Sequence, residues 1–125
     1  LVSKEICRAA DFCGVRSGCD LDKFEATGLT REKASTVNVP LVKESPVNIE
    51  CKVTQVLELG SHDMFLAKVT AVQVDESLLD EKGKLDLNKA HLVAYSHGEY
   101  QTFDNILGTF GYSVKKKDKK EKKKH

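Results

Sequence analysis

Two histidines stand where an imidazole can meet a ligand. His62 lies in Gly60-Ser61-His62-Asp63, a tight turn between two long apolar-patterned runs, so its ring can project from the rim of a folded sheet. An exposed imidazole titrates near neutrality and can donate to, or carry charge beside, an anionic or reducible ligand. The same turn equally suits a histidine that only hydrogen-bonds Asp63. His97 and Tyr100 lie either side of Gly98 in Ser96-His97-Gly98-Glu99-Tyr100. An imidazole, bare backbone and an aromatic plate at that spacing suit a planar ligand, or a polar loop with no further role. A third group, Ser17, Gly18, Asp22 and Lys23, follows the first expected helix. A hydroxyl, a backbone amide and an ammonium supply the donors and positive charge that a phosphate monoester requires. Ser-Gly before an aspartate is also an ordinary turn and helix start. Phe24 either covers a ring system or enters the core, and the core is the simpler expectation.

No self-sufficient catalytic motif accompanies these residues. G-x-S-x-G, a P-loop, H-E-x-x-H and G-x-G-x-x-G are all missing. Cys7, Cys13 and Cys19 are six apart, whereas zinc knuckles place thiolate pairs two to four apart, so no metal site is expected. Small buried or half-buried thiols are the simpler reading of these three and of Cys51. Charge is divided unevenly. Residues 115–125 carry eight lysines against Asp118 and Glu121, a net +6, while the remainder carries 12 basic and 17 acidic side chains, a net −5. A mildly acidic body without clustered basic and aromatic residues is a poor grip for nucleic acid, which disfavours an oligonucleotide-binding barrel. The lysine block is expected to be a solvated, disordered tail. No run of 18 apolar residues spans a bilayer, and no secretory signal opens the sequence, so a cytoplasmic address is the default.

The elements that must position these groups follow from periodicity. With 125 residues, 40% apolar and 31% charged, a single domain over 1–114 is expected. Residues 3–12 predict a helix, with Ser3 as N-cap, Ile6, Ala9 and Ala10 on one face, and Gly14 as the stop. A second helical turn is expected at 21–26, then an irregular connection to Pro46, with Thr30 capping a turn through Glu32 and Lys33. From Val47 the period changes to two. Val47, Ile49, Cys51, Val53, Leu57 and Leu59 alternate with polar residues, predicting a strand over 47–59 with one buried face and a bulge at Gln55 and Val56. A second strand over 64–74 carries Phe65, Ala67, Val69 and Ala71, then switches phase to Val72 and Val74. Such paired, broken strands predict a curled sheet of the kind that closes small barrels. A short third strand is expected at 92–95. Three strands leave open edges.

Four segments together carry a resemblance to a known family. They are Ala10-Asp11-Phe12-Cys13-Gly14-Val15; Ser17-Gly18-Cys19-Asp20-Leu21-Asp22-Lys23-Phe24; Leu57-Glu58-Leu59-Gly60-Ser61-His62-Asp63-Met64-Phe65; and Ala94-Tyr95-Ser96-His97-Gly98-Glu99-Tyr100. In this order, over about residues 1–117, they resemble the flavin reductase-like family, of the flavoredoxin and ferric reductase type. The resemblance implies an FMN-binding split β-barrel, mainly β, antiparallel and Greek-key, with short flanking helices. It also implies FMN (or FAD) as cofactor, reduced NAD(P)H as hydride donor, and a homodimer. Ser17, Gly18, Asp22, Lys23 and Phe24 would lie near the phosphate and ribityl side of the flavin. His62 would face flavin and nicotinamide, and His97, Gly98 and Tyr100 would form a loop beside the active site.

Two departures bear on that expectation. Cys19 stands where relatives usually have Arg, which removes a cationic contact with phosphate. The sequence also begins at Leu1, with the helix that in relatives follows several strands, so an N-terminally truncated copy is expected. Beside the reductase stand two alternatives: an electron carrier that needs the same cleft, and a small β-barrel that binds a partner without chemistry.

Overall fold

The computed structural model describes residues 1–103 and 105–115. The expected tail falls almost wholly outside them. The fold is mainly β, built from three two-stranded antiparallel sheets and two short helices. Helix α1 spans Cys7–Val15 and follows a 3-10 turn at Lys4–Ile6. It runs through Gly14, and Arg16 closes it by donating its amide to the Phe12 carbonyl at 3.1 Å. Ser3 makes no side-chain cap. Its backbone instead bridges Leu92, and it is buried there. Helix α2, Lys23–Thr27, starts where Asp22 accepts from the Phe24 and Glu25 amides at 2.9 and 3.2 Å. It stops at Gly28, whose φ of 71° is the left-handed conformation that glycine adopts without cost.

Strands β1 (Arg31–Glu32) and β2 (Leu41–Val42) pair across the segment expected to be irregular. Two residues are too few to show a period. The dominant element is the ribbon of β3 (Val47–Glu58) and β4 (Asp63–Val74), close to the expected bounds. Its register shifts at two places: between Val53 and Gln55, and between Glu50 and Cys51, where Thr70 is the extra residue on β4. Both lie within two residues of the breaks in apolar phase, because an inserted residue flips every later side chain to the other face. The turn between the two strands is as expected: Gly60, at φ 87°, and Ser61 form it, and the Leu59 amide donates to the His62 carbonyl at 3.0 Å.

Strands β5 (Val93–Ser96) and β6 (Glu99–Thr102) form the last hairpin. The segment expected to be a loop is its turn plus a new strand. His97 and Gly98 have φ of 53° and 84°, the positive values that right-twisted strands require of a two-residue turn.

The core is small. Val47, Leu78 and Ala90 are buried together at the base of the ribbon, with Val74 and Leu92 against them. Beyond that base the ribbon lacks the single buried face expected of it. Ile49, Val53, Val56, Met64, Phe65, Leu66, Val69 and Val72 are exposed. Glu50, expected on the polar face, is instead 1% exposed. No helix among the described residues is long and apolar enough to cross a membrane.

Five carboxylates are held below their usual range, among them Glu5 through the Ser3 hydroxyl. For Glu50 the chief causes are the Thr36 hydroxyl and the Ser35 amide; for Asp22, the Glu25 amide and the Arg31 guanidinium; for Glu44, the Thr30 amide; for Asp75, the Ser77 hydroxyl. A carboxyl depressed on folding adds stability that is present above its unfolded value and lost as pH falls through its folded one. Melting temperature is therefore expected to stay level from pH 7 to about pH 5 and to fall below about pH 4. Thermal melts followed by circular dichroism check this, and a level profile down to pH 2.5 contradicts it.

Candidate functional site

Helix α1 gathers two of the three candidate groups. Lys23 donates its Nζ to the Cys13 carbonyl at 2.5 Å, so the ammonium caps the negative end of α1. Its Cε lies 3.8 Å from where a Cβ on Gly18 would stand, which places Lys23 over the Ser17-Gly18 turn. Two residues back along α1, Asp11 accepts from the Tyr100 hydroxyl at 3.0 Å. That bond raises the Tyr100 phenol above its ordinary value, because the neutral O–H is the form that donates. Tyr95 lies across the hairpin, its ring centroid 5.1 Å from that of Tyr100 with planes tilted by 60°. The last turns of α1 thus fasten the 17–24 segment on one side and the β5–β6 hairpin, with His97 and Gly98 at its tip, on the other.

Asp22 is a cap and an ion-pair partner, held by Arg31 as well as by the α2 amides. Phe24 is half-buried and does not enter the core: the Arg31 guanidinium sits over its ring, 4.5 Å from the centroid. His62 stands apart at the exposed tip of the ribbon. Its Nδ1 lies 3.0 Å from the Ser61 hydroxyl rather than engaging Asp63, which leaves Nε2 as the atom turned to solvent. All four cysteines are free. Cys7 and Cys13 are half-buried as expected, while Cys19 and Cys51 are exposed.

The donor set suits a nucleotide phosphate. Ser17 uses its oxygen to accept the Cys19 amide at 3.2 Å and keeps its proton to give. Lys23 keeps further N–H groups beyond the one on Cys13, since an ammonium carries three. The bare Gly18 backbone admits close approach, with only Lys23 within 4 Å of a notional Cβ. Ser17 and Gly18 lie open to solvent and Lys23 is half-buried. The largest hollow described near them, about 440 Å³ between α1 and α2, is lined by Ile6, Ala9, Phe12 and Leu29 among others and by none of the expected site residues.

Arg31, Asp11, Ser61 and Tyr95 carry contacts that the sequence assigned to none of them. Arg31 lies nine residues from its partner Asp22, and Asp11 is 89 residues from Tyr100, so no local pattern links either pair. Ser61 was adjacent to His62 and legible as its neighbour.

A family model described as "Flavin reductase like domain" matches residues 1–104. Among solved structures, flavoredoxin of Desulfovibrio vulgaris (Miyazaki F) is 34% identical with a TM-score of 0.81, covering 90% of this chain and 61% of that one. A flavin reductase with a split barrel domain from Shewanella frigidimarina is 30% identical with a TM-score of 0.72, covering 86% and 56%. An uncharacterized protein of Archaeoglobus fulgidus is 33% identical over 86 residues, or 69% of this chain and 48% of that protein. The expected split-barrel class is therefore that of the similar structures, and this chain spans about half to three fifths of the length of these relatives.

Proposed function

The chain belongs to the flavin reductase-like family, and on that premise we propose that it holds FMN and serves its reduction by NADH or NADPH. The observation that carries this reading is the likeness to flavoredoxin over nine tenths of the chain, together with the phosphate-competent cluster at the end of α1. Ser17, the Gly18 backbone and Lys23 bind the phosphate, and Asp22 orders the segment by capping α2. Phe24 and the His97-Gly98-Tyr100 hairpin border the ring system, with Tyr100 held in place by Asp11. Bound flavin supplies the hydride-accepting, two-electron chemistry. His62 offers Nε2 to orient the nicotinamide or to place a proton or positive charge beside negative charge, while Ser61 fixes the other ring nitrogen. FAD is the alternative cofactor.

The proposal extends to one domain over residues 1–114 and to a homodimer. The apolar side chains exposed along β3 and β4 support pairing, because large apolar patches on soluble domains mark contact surfaces. Four free thiols accord with a reducing, cytoplasmic setting.

A second reading draws on the flavoredoxin likeness itself: an electron carrier that holds flavin but takes electrons from a protein donor rather than a nicotinamide. Stopped-flow mixing of the flavin-loaded protein with NADH or NADPH separates them. Bleaching of the flavin band within seconds is the outcome for the reductase. Absence of bleaching with either nucleotide, with flavin bound, rejects it in favour of the carrier.

A further inference from the structure

Glu50 is the most buried ionisable side chain among the described residues, and nothing in the proposed chemistry uses it. Its carboxylate collects donors from three directions. One oxygen accepts from the Ser35 amide at 2.9 Å and the Ser35 hydroxyl at 2.8 Å, and also from the Gln73 side-chain amide. The other accepts from the Thr36 amide and hydroxyl, both at 2.6 Å. The Thr36 hydroxyl lies 2.6 Å from that of Thr70, which donates to the Glu50 carbonyl at 3.1 Å. Thr70 is the bulged residue opposite Glu50, so the clasp sits at the bend of the ribbon.

Ser35 and Thr36 belong to the arm that leaves α2, forms β1, and returns as β2 into the ribbon. Packing does little to hold this arm. Ala34 and Leu41 are buried, but an open groove of about 320 Å³ runs along it, lined wholly by its own residues, including Lys33, Val37 and Pro40. At its near end, Arg31 pairs with Asp22 and covers Phe24. The arm therefore has polar fastenings at both ends and in the middle: Arg31 on the candidate flavin segment, Glu50 on the ribbon at the loop, and, where β2 returns, the Asn48 side chain on the Val42 amide and carbonyl at 3.2 and 3.1 Å.

We propose that Glu50 is a positioning residue that clasps the 33–40 loop to the ribbon and, through Arg31, sets Asp22 and Phe24 for the cofactor. A buried carboxylate is suited to this because it only accepts, and here every donor from Ser35, Thr36 and Gln73 points at it. Neutralising it to an amide places N–H against N–H and breaks the match at no change of size. The link to the cofactor rests on the proposed flavin reading; the clasp itself does not.

Hydrogen exchange followed by mass spectrometry on the whole chain tests it. In Glu50→Gln, amides in 33–40 are expected to exchange at least about tenfold faster, with β5–β6 peptides unchanged. Thr36→Val, which removes one hydroxyl and keeps the carboxylate, is expected to give a smaller increase in the same peptide. Exchange in 33–40 that matches the parent protein in both variants overturns the clasp, and so does acceleration spread equally over all peptides in Thr36→Val. In parallel, FMN titration is expected to weaken about tenfold in Glu50→Gln and similarly in Arg31→Ala. Unchanged FMN affinity in both, with the parent protein binding, overturns the coupling to the site. Failure of the parent protein to take up FMN counts against the flavin reading alone, and the exchange result then decides the clasp.

Discussion

Replacing His62 with alanine is expected to slow flavin reduction by NADH or NADPH by about 10²–10³-fold while flavin stays bound. The imidazole lies on the exposed tip of the β3–β4 ribbon, and its hydrogen-bond partner is Ser61 rather than any group assigned to the phosphate. Its removal therefore leaves Ser17, Gly18 and Lys23 intact. The flavin dissociation constant should change by less than about threefold, since truncating an exposed side chain bonded to none of the phosphate-holding groups is a small perturbation. Ser61→Ala should have a milder effect, because it frees Nδ1 without removing the ring. Stopped-flow rates beside equilibrium flavin titrations measure both quantities. Unaltered bleaching in His62→Ala removes the role assigned to this residue.

Lys23→Met is expected to act in the opposite way, weakening FMN by about 10–100-fold, the range for loss of a charge-assisted hydrogen bond. Methionine keeps much of the length and apolar stem of lysine, so its packing over Gly18 is largely preserved. The Cys13 carbonyl loses its donor as well, and the last turn of α1 should fray. Riboflavin, which lacks the phosphate, provides the control. Its affinity should fall far less than that of FMN, and an equal loss for both ligands would assign Lys23 to the helix end alone.

The ribbon was legible because each of its strands has 12 residues, long enough for a period of two to show and for a break in that period to mark a bulge. The turn bearing His62 followed from it. The β1–β2 pair was hidden because each strand has two residues, and β6 because Glu99-Tyr100-Gln101-Thr102 has no buried residue and is mostly polar. Glu50 occupied a polar position in a regular alternation, which ordinarily faces water. Its burial depends on the Ser35-Thr36 pair reaching it from 14 or 15 residues away, a tertiary fact with no local pattern. The three site groups were legible as separate motifs. The joining of two of them was not, since Asp11 and the Cys13 carbonyl on α1 do it through contacts with Tyr100 and Lys23.

Titration of the purified chain with FMN, followed in the visible spectrum, bears most directly on the central claim that these residues hold a flavin. The expected result is a saturable shift of the flavin band with loss of fluorescence, displaced to about 10–100-fold higher FMN concentration in Lys23→Met. A spectrum identical to that of free FMN throughout a titration into the millimolar range would contradict it.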